Sequence, residues 1–196
     1  MKEEKKSIID HHACSYVTFN TIDWIDVFIR PGYKQVITDA LNSFVTNKKL
    51  IIFSWCLMTN HLHLLARSNE KGGLAQFEKD FKKQTTKEIL EAIDGEPELR
   101  HNWMLAHFEA ASQQMKRLEK YTLWQNCSNP VFIDFKDPYK LKEKVLHIHE
   151  NPLRDLVVDQ PEDYLHSSAR DYVGRKGLVQ VNRIDFEDLL KAIITA

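Results

Sequence analysis

The chain has 196 residues, of which 43% are hydrophobic and 28% are charged, and this length supports one domain with a sizeable core. Its formal net charge of −1 does not indicate a polyanionic partner, so any nucleic-acid surface must come from local clusters of Lys and Arg. No apolar stretch approaches the roughly 20 residues that span a bilayer. Three widely spaced cysteines, Cys14, Cys56 and Cys127, form no disulfide framework or zinc motif and are interpreted as small buried residues. We therefore expect a cytoplasmic protein without a membrane partner.

The first half of the chain divides into strands and helices by its hydrophobic spacing. Residues 1–12 form a polar leader that we expect to be disordered. The predicted elements that follow are a strand over 13–21, an amphipathic helix over 33–47, two adjacent strands over 50–58 and 61–68, and a second amphipathic helix over 74–93. Aromatic and β-branched residues that alternate with polar ones indicate the strands, and apolar residues three and four apart indicate the helices.

The middle of the chain is harder to assign. Residues 95–130 are compatible with strand, helix or both. A short strand is predicted over 131–133. Behind it, Asp137 is a suitable helix cap and Pro138 a suitable first helical residue, so we predict a helix that ends near Glu150.

Residues 152–196 are predicted to form a C-terminal extension with a final helix over 186–194. The whole order of elements predicts one domain over 1–196 with an α+β fold. We expect a ferredoxin-like antiparallel sheet with helices packed on one face, followed by the C-terminal extension.

The motif His61-Leu62-His63 lies on the strand predicted over 61–68. Residues two apart on a strand project from the same face, so both imidazoles would lie side by side while Leu62 points to the other face. Two adjacent imidazoles can chelate a divalent cation. The spacing alone is weak evidence, because the chain contains nine histidines and a second such triplet at 147–149.

The surroundings of this histidine pair carry a more specific pattern. The segment WCLMTNHLHLLARS resembles the signature of the HUH superfamily of single-strand DNA transposases, and most closely that of the REP-associated tyrosine transposases. Three other segments resemble further blocks of that family: ACSYVTFNTIDWIDVF its opening strand and loop, FEKDFKKQTTKEIL its basic helix, and HIHENPLRDLVVDQPEDYLHSSARDYVGRKGL its C-terminal block. The resemblance covers residues 13–182.

This resemblance implies a protein that cuts and rejoins single-stranded or hairpin DNA. In the family a Mg²⁺ or Mn²⁺ ion polarises the scissile phosphate, and a tyrosine attacks phosphorus to form a covalent 5′-phosphotyrosine. The metal ligands correspond here to His61 and His63, with Asn151 as the third. The nucleophile stands four residues before that asparagine, and this position is His147. The departure leaves the strand-transfer activity open.

Three interpretations of His147 compete. In the first it is a fourth metal ligand or a silencing replacement, and the protein binds DNA without strand transfer. In the second a neighbouring tyrosine is the nucleophile, with Tyr139, Tyr121 and Tyr164 as candidates. In the third His147 activates water, and the reaction is metal-assisted hydrolysis.

Two groups of basic residues are candidate DNA contacts. Four lysines at three- and four-residue spacing form a stripe on the second predicted helix: Lys79, Lys82, Lys83 and Lys87. Acidic residues interleave with them, so a solvated helix face is the plainer interpretation. The C-terminal block carries the second group: Arg154, Arg170, Arg175 and Lys176. The four tryptophans are interpreted as core or interface residues rather than as stacking surfaces.

Three functions from different classes remain. The first is a transposase-like protein with a metal site that binds single-stranded or hairpin DNA. The second is a catalytically inactive DNA-binding or regulatory protein derived from a transposase. The third, an unrelated metal-dependent hydrolase that shares only the histidine motif, disagrees with the extent of the resemblance. The family also implies an association with the bacterial nucleoid and a homodimer, which the opening strand could form by pairing across a two-fold axis.

Overall fold

The computed structural model describes residues 13–47, 49–69, 72–95, 97–126 and 129–194. The strands are β1 (Ala13–Asn20), β2 (Leu50–Leu57), β3 (His61–Ser68) and β4 (Val131–Asp134). The α-helices are α1 (Pro31–Thr46), α2 (Gly73–Gly95), α3 (His101–Gln114), α4 (Pro138–His149), α5 (Asn151–Arg154), α6 (Ala169–Tyr172) and α7 (Phe186–Ile194), with 3₁₀ turns at Ile22–Trp24 and Pro161–Asp163. The leader expected over 1–12 lies outside the described residues, as does Cys127.

The four strands form one sheet in the order β2-β3-β1-β4, and every neighbouring pair is antiparallel. Helix α1 joins β1 to β2, and α2 precedes β4, which is the ferredoxin-like arrangement. The predicted α+β fold class is therefore confirmed. The part that sequence left unassigned contains α3, and Asp137 caps α4 as expected by accepting a hydrogen bond from Lys140 N at 3.0 Å.

Helices cover both faces of the sheet, because β1 and β3 carry apolar side chains on both sides. Phe19 and Leu64 belong to a large hydrophobic cluster with residues of α1 and α2. Leu65 points the other way and belongs to a second cluster with residues of α4 and α7. Helices α1 and α2 pack on one face, as expected, and α4 in addition covers the other face, which carries His61 and His63.

The composition led to two further expectations, that the cysteines are buried and that no segment spans a membrane. Cys14 and Cys56 are buried free thiols, and burial raises the pKa of each to about 12. Within the described part of the chain, no helix combines the length and the hydropathy needed to cross a membrane.

The C-terminal extension runs along the outer edge of β2. Leu57 N donates to His166 O at 2.9 Å, and Ser168 N donates to Trp55 O at 2.9 Å. Strand β1, in contrast, is paired on both edges, with β3 and with β4. Because β4 pairs with β1 over Ala13–Tyr16, a second copy of the chain could not pair with that half of the opening strand.

A buried polar cluster fastens this extension to the sheet. His149 Nε2 lies 3.0 Å from Ser54 Oγ and 2.9 Å from Ser168 Oγ, and the imidazole also contacts the Tyr172 ring. Burial lowers the pKa of His149 to about 4. The second histidine triplet is therefore no chelating pair, because one of its members is committed to these serines.

We expect His149 to make the protein less stable in acid. An unfolded histidine has a pKa of about 6.5. Between that pH and about 4 the unfolded chain therefore binds a proton that the folded chain does not. The contribution of His149 to the free energy of unfolding is complete above the unfolded pKa. It is lost as the pH falls, and the loss is at most about 3 kcal/mol. Urea unfolding at neutral pH and near pH 4.5 should show a larger acid loss for wild type than for His149→Gln; equal losses would contradict this assignment.

Candidate metal centre and its surroundings

His61 and His63 lie on one face of β3, as predicted, and their ring centroids are 4.7 Å apart. The Nε2 atoms of both rings face a single amide side chain. His61 Nε2 lies 3.3 Å from Asn151 Oδ1, and Asn151 Nδ2 lies 3.0 Å from His63 Nε2. Asn151 begins α5, directly after α4 ends. The structure therefore brings together the three residues that the resemblance suggested as metal ligands.

The opposite nitrogen of each ring faces oxygen atoms. His61 Nδ1 lies 2.8 Å from Asn60 Oδ1. His63 Nδ1 lies 2.9 Å from Tyr16 OH and 2.9 Å from Thr18 Oγ1. An imidazole that donates its Nδ1 proton to such an oxygen has its Nε2 lone pair free for a cation. At His63 the surroundings favour this tautomer, because Nε2 accepts from Asn151 Nδ2. At His61 both ring nitrogens face amide oxygens, Asn60 Oδ1 at Nδ1 and Asn151 Oδ1 at Nε2.

The contacts at Nδ1 were not expected from sequence. Thr18 lies directly opposite His63 in the β1–β3 ladder, and Tyr16 is two residues away on the same face. The alternation of β1 indicated that Tyr16 and Thr18 share a face. The register that places them beside His63 was the missing information.

Burial keeps the site histidines neutral. It lowers the pKa of His63 to about 3, with further lowering by the neighbouring His61, His147 and Arg154. Burial also lowers the pKa of His61. Neutral imidazole is the form that binds metal ions, so the rings are in the right protonation state at neutral pH.

The chemistry of the site fits a divalent cation. Two imidazole nitrogens and one amide oxygen leave coordination positions for water or a phosphate oxygen. Asn20 lies opposite His61 in the β1–β3 ladder, and its buried Oδ1 has no hydrogen-bond partner among the described residues. Those residues contain no group of three or more His, Cys, Asp or Glu side chains that could hold a metal. A site here therefore depends on the two histidines and on asparagine oxygens.

His147 lies beside the pair, on the last turn of α4. Its ring centroid is 5.4 Å from that of His63 and 5.9 Å from that of Tyr16. Arg154 Nη1 lies 2.9 Å from His147 Nδ1. Because a guanidinium can only donate, Nδ1 accepts this hydrogen bond and carries no proton to give. Burial, followed by the positive charges of Arg154 and Lys144, lowers the pKa of His147. The residue at the position of the family's tyrosine thus faces the site as a neutral, half-buried imidazole.

The tyrosines considered as replacement nucleophiles are differently placed. Tyr139 is 76% exposed at the other end of α4, about 12 Å along the helix axis from His147. Tyr164 is buried, and its hydroxyl donates to Leu57 O at 2.8 Å. Tyr121 lines a cleft beside α2. The described contacts bring none of the three to the histidines.

The basic stripe on α2 lies on the opposite face of the sheet. Lys79, Lys83 and Lys87 are exposed and line a cleft of about 770 Å³ together with Arg117 and Lys120. The fourth member of the stripe, Lys82, departs from the expectation. Its ammonium is buried, pairs with Glu78 at 2.5 Å and donates to Gln125 O at 2.8 Å.

The two arginines selected in the C-terminal block also differ. Arg154 is exposed beside His147, where it also donates to Glu150 Oε2 at 2.9 Å. Arg170 lies on α6, in the segment that follows the outer edge of β2. Only Arg154 is brought next to the histidine pair.

The tryptophans divide into two kinds. Trp55 and Trp124 are buried in the large cluster, as interpreted. Trp24 is 56% exposed and Trp103 49% exposed, so the core interpretation is wrong for these two. The Trp24 ring lies edge-on to the His61 ring, with 6.4 Å between centroids.

Comparisons with known proteins agree with this geometry. The family model described as Transposase IS200 like matches residues 15–126, more than half of the chain. A solved structure of the REP-associated tyrosine transposase bound to a REP hairpin has the same fold, with a TM-score of 0.53 and 12% identity over 92% of each chain. No curated protein sequence matches significantly. The matched region includes both site histidines and most of the sheet, and the chain belongs to the IS200-like transposase family.

Proposed function

We propose that this protein binds single-stranded or hairpin DNA and holds a Mg²⁺ or Mn²⁺ ion at His61, His63 and Asn151 for strand cleavage and rejoining. One observation carries the proposal: the Nε2 atoms of both histidines converge on one asparagine amide. A bound ion would polarise a DNA phosphate and offset the charge that develops on phosphorus. The DNA hairpin in the related solved structure supports a DNA partner.

The chain's own residues have separable roles in this proposal. Asn60, Tyr16 and Thr18 contact the Nδ1 atoms and so hold the two imidazoles with Nε2 directed toward Asn151. Arg154 is exposed next to the site and carries a planar cation that pairs well with phosphate oxygens. His147 occupies the place of the nucleophile, yet its Nδ1 is taken by Arg154.

That last contact favours a second candidate function, a DNA-binding protein without strand transfer. A histidine that is paired with a cation and lacks a phenolic oxygen cannot form the tyrosine–phosphate ester. In this form the protein would keep the metal and DNA surfaces and recognise DNA ends or hairpins. Hydrolysis by a water that His147 activates is the third outcome, and it would leave no covalent adduct.

A gel assay with a labelled DNA hairpin that carries a single-stranded tail tests these functions. With Mn²⁺ present, a cut product would support the enzyme, and binding without cutting would support the inactive binding protein. Absence of binding at moderate salt would contradict both. The homodimer stays a proposal, and its interface would have to avoid the part of β1 that pairs with β4, Ala13–Tyr16.

The lysines of α2 provide a matched pair that separates folding from binding. Lys82→Met removes a buried ammonium that donates to Glu78 and to the Gln125 carbonyl, so we expect a loss of about 1–3 kcal/mol in unfolding free energy. Lys83→Met removes an exposed charge from the cleft, so we expect unchanged stability and weaker DNA binding with a smaller salt dependence. Urea unfolding and salt-dependent binding titrations would measure both; a destabilised Lys83→Met would contradict the assignment.

A further inference from the structure

The turn over Ile22–Trp24 places a large aromatic ring in solvent at an energetic cost. Asp23 and Trp24 have φ values of 50° and 55°, a left-handed conformation that L-residues other than glycine adopt only at some cost in energy. Ile22 and Ile25, on either side, are buried. The core therefore anchors both ends of the turn while the strained backbone directs Trp24 outward. Strain of this kind is concentrated at functional sites.

This turn is joined to the segment that carries the histidines. Asn60 Nδ2 donates to Trp24 O at 3.3 Å, and Thr21 N donates to Asn60 O at 2.9 Å. Asn60 in turn contacts His61 Nδ1. The position of Trp24 is thus fixed relative to the metal ligands by hydrogen bonds, rather than left to a free loop.

The ring of Trp24 has an open surface beside the site. It meets His61 at an interplanar angle of 73°, and more than half of the residue is exposed, so ring surface remains open to a third ring. The acidic neighbour Asp23 is paired with His107 Nδ1 at 2.9 Å, which reduces its repulsion of a polyanion. An unpaired base stacks well on such a ring whatever its identity, because every base has a π-face.

We propose that Trp24 is a stacking platform for one unpaired base of the DNA strand whose phosphate lies at His61 and His63. The proposal rests on the proposed function, because the strand must reach the histidines for the base to reach Trp24. It adds a physical reason for a preference for single strands: a base within a duplex is already stacked on its neighbours and cannot pack its face on the ring.

The test compares a ten-nucleotide poly(dT) strand with an abasic strand of the same length. Trp24→Ala should weaken binding of the poly(dT) strand by about 5- to 150-fold and leave binding of the abasic strand unchanged, and Trp24→Phe should retain most of the affinity. Phe132→Ala is the matched control, because Phe132 is an exposed aromatic residue on β4 that lies away from the histidines.

A glycine at the same position supplies a second readout. Trp24→Gly relieves the left-handed strain, so the melting temperature should rise by about 2–4 °C while poly(dT) affinity falls. Equal losses on both strands, or no loss for Trp24→Ala, would overturn the stacking role while leaving the proposed function intact. Failure of the wild-type protein to bind either strand would overturn the proposed function, and this inference with it.

Discussion

Replacing His147 with tyrosine should give the protein a phosphotyrosine intermediate at position 147, which the imidazole of the wild type cannot form. The His147 ring lies 5.4 Å from the His63 ring, so a longer side chain there extends toward the two Nε2 atoms. Arg154, now 2.9 Å from the imidazole, would face the phenolic oxygen and favour its ionised form. The phenolate would attack phosphorus, the bond to the 3′ oxygen would break, and a proton would pass to that oxygen. The product is a 5′-phosphotyrosine.

Denaturing gels of the His147→Tyr variant with Mn²⁺ and a labelled tailed hairpin would show this adduct as a shifted protein band. Peptide mass spectrometry would map the modified residue. His147→Phe is the matched control, because it adds a similar ring without an oxygen and should give no adduct. An adduct of the His147→Tyr variant that maps to Tyr139, or an equal adduct in His147→Phe, would contradict the assignment of position 147.

Replacing His63 with alanine should lower Mn²⁺ affinity by at least about 100-fold, since loss of an outer contact alone costs 10- to 100-fold at such sites. Of the two histidines this one is the more deeply enclosed, and its Nε2 lies 3.0 Å from the Asn151 amide. Calorimetric titration with Mn²⁺ would measure the loss without any need for activity.

His101, which begins α3 and pairs with Asp94 of α2, offers a matched control for this change. His101→Ala should leave Mn²⁺ affinity as in the wild type. Tyr16→Phe should have an intermediate effect, because Thr18 Oγ1 still faces His63 Nδ1 when the phenolic oxygen is removed. Mn²⁺ binding to His63→Ala at wild-type strength would place the ion elsewhere.

The order of strands and helices could be predicted because local patterns determine it. β1, β2 and β3 are long alternating or apolar runs, and Asp137 with Pro138 defines the start of α4. The placement of the histidine pair could also be predicted, because residues two apart on one strand share a face whatever the rest of the fold is. Asn151 followed from the asparagine-proline turn in the family resemblance, and position 147 followed from its distance to Asn151.

Other features depend on contacts between distant segments. The β1–β3 register that places Thr18 opposite His63 has no local signal. The burial of Lys82 also has no local signal, because it depends on where the segment around Gln125 packs. Trp24 was misjudged because a large apolar ring is usually buried, and only the left-handed turn reveals that this one is not. The resemblance suggested the proposed ligands, while the residues that contact their Nδ1 atoms required coordinates.

The most direct test of the central claim is a crystal structure of the protein soaked in Mn²⁺, with anomalous scattering used to locate the ion. We expect one ion between the imidazoles, bound by Nε2 of His61, Nε2 of His63 and Oδ1 of Asn151, with the Asn151 amide turned to present its oxygen. An ion bound through Nδ1, or strong anomalous density elsewhere with none between the two rings, would contradict the account.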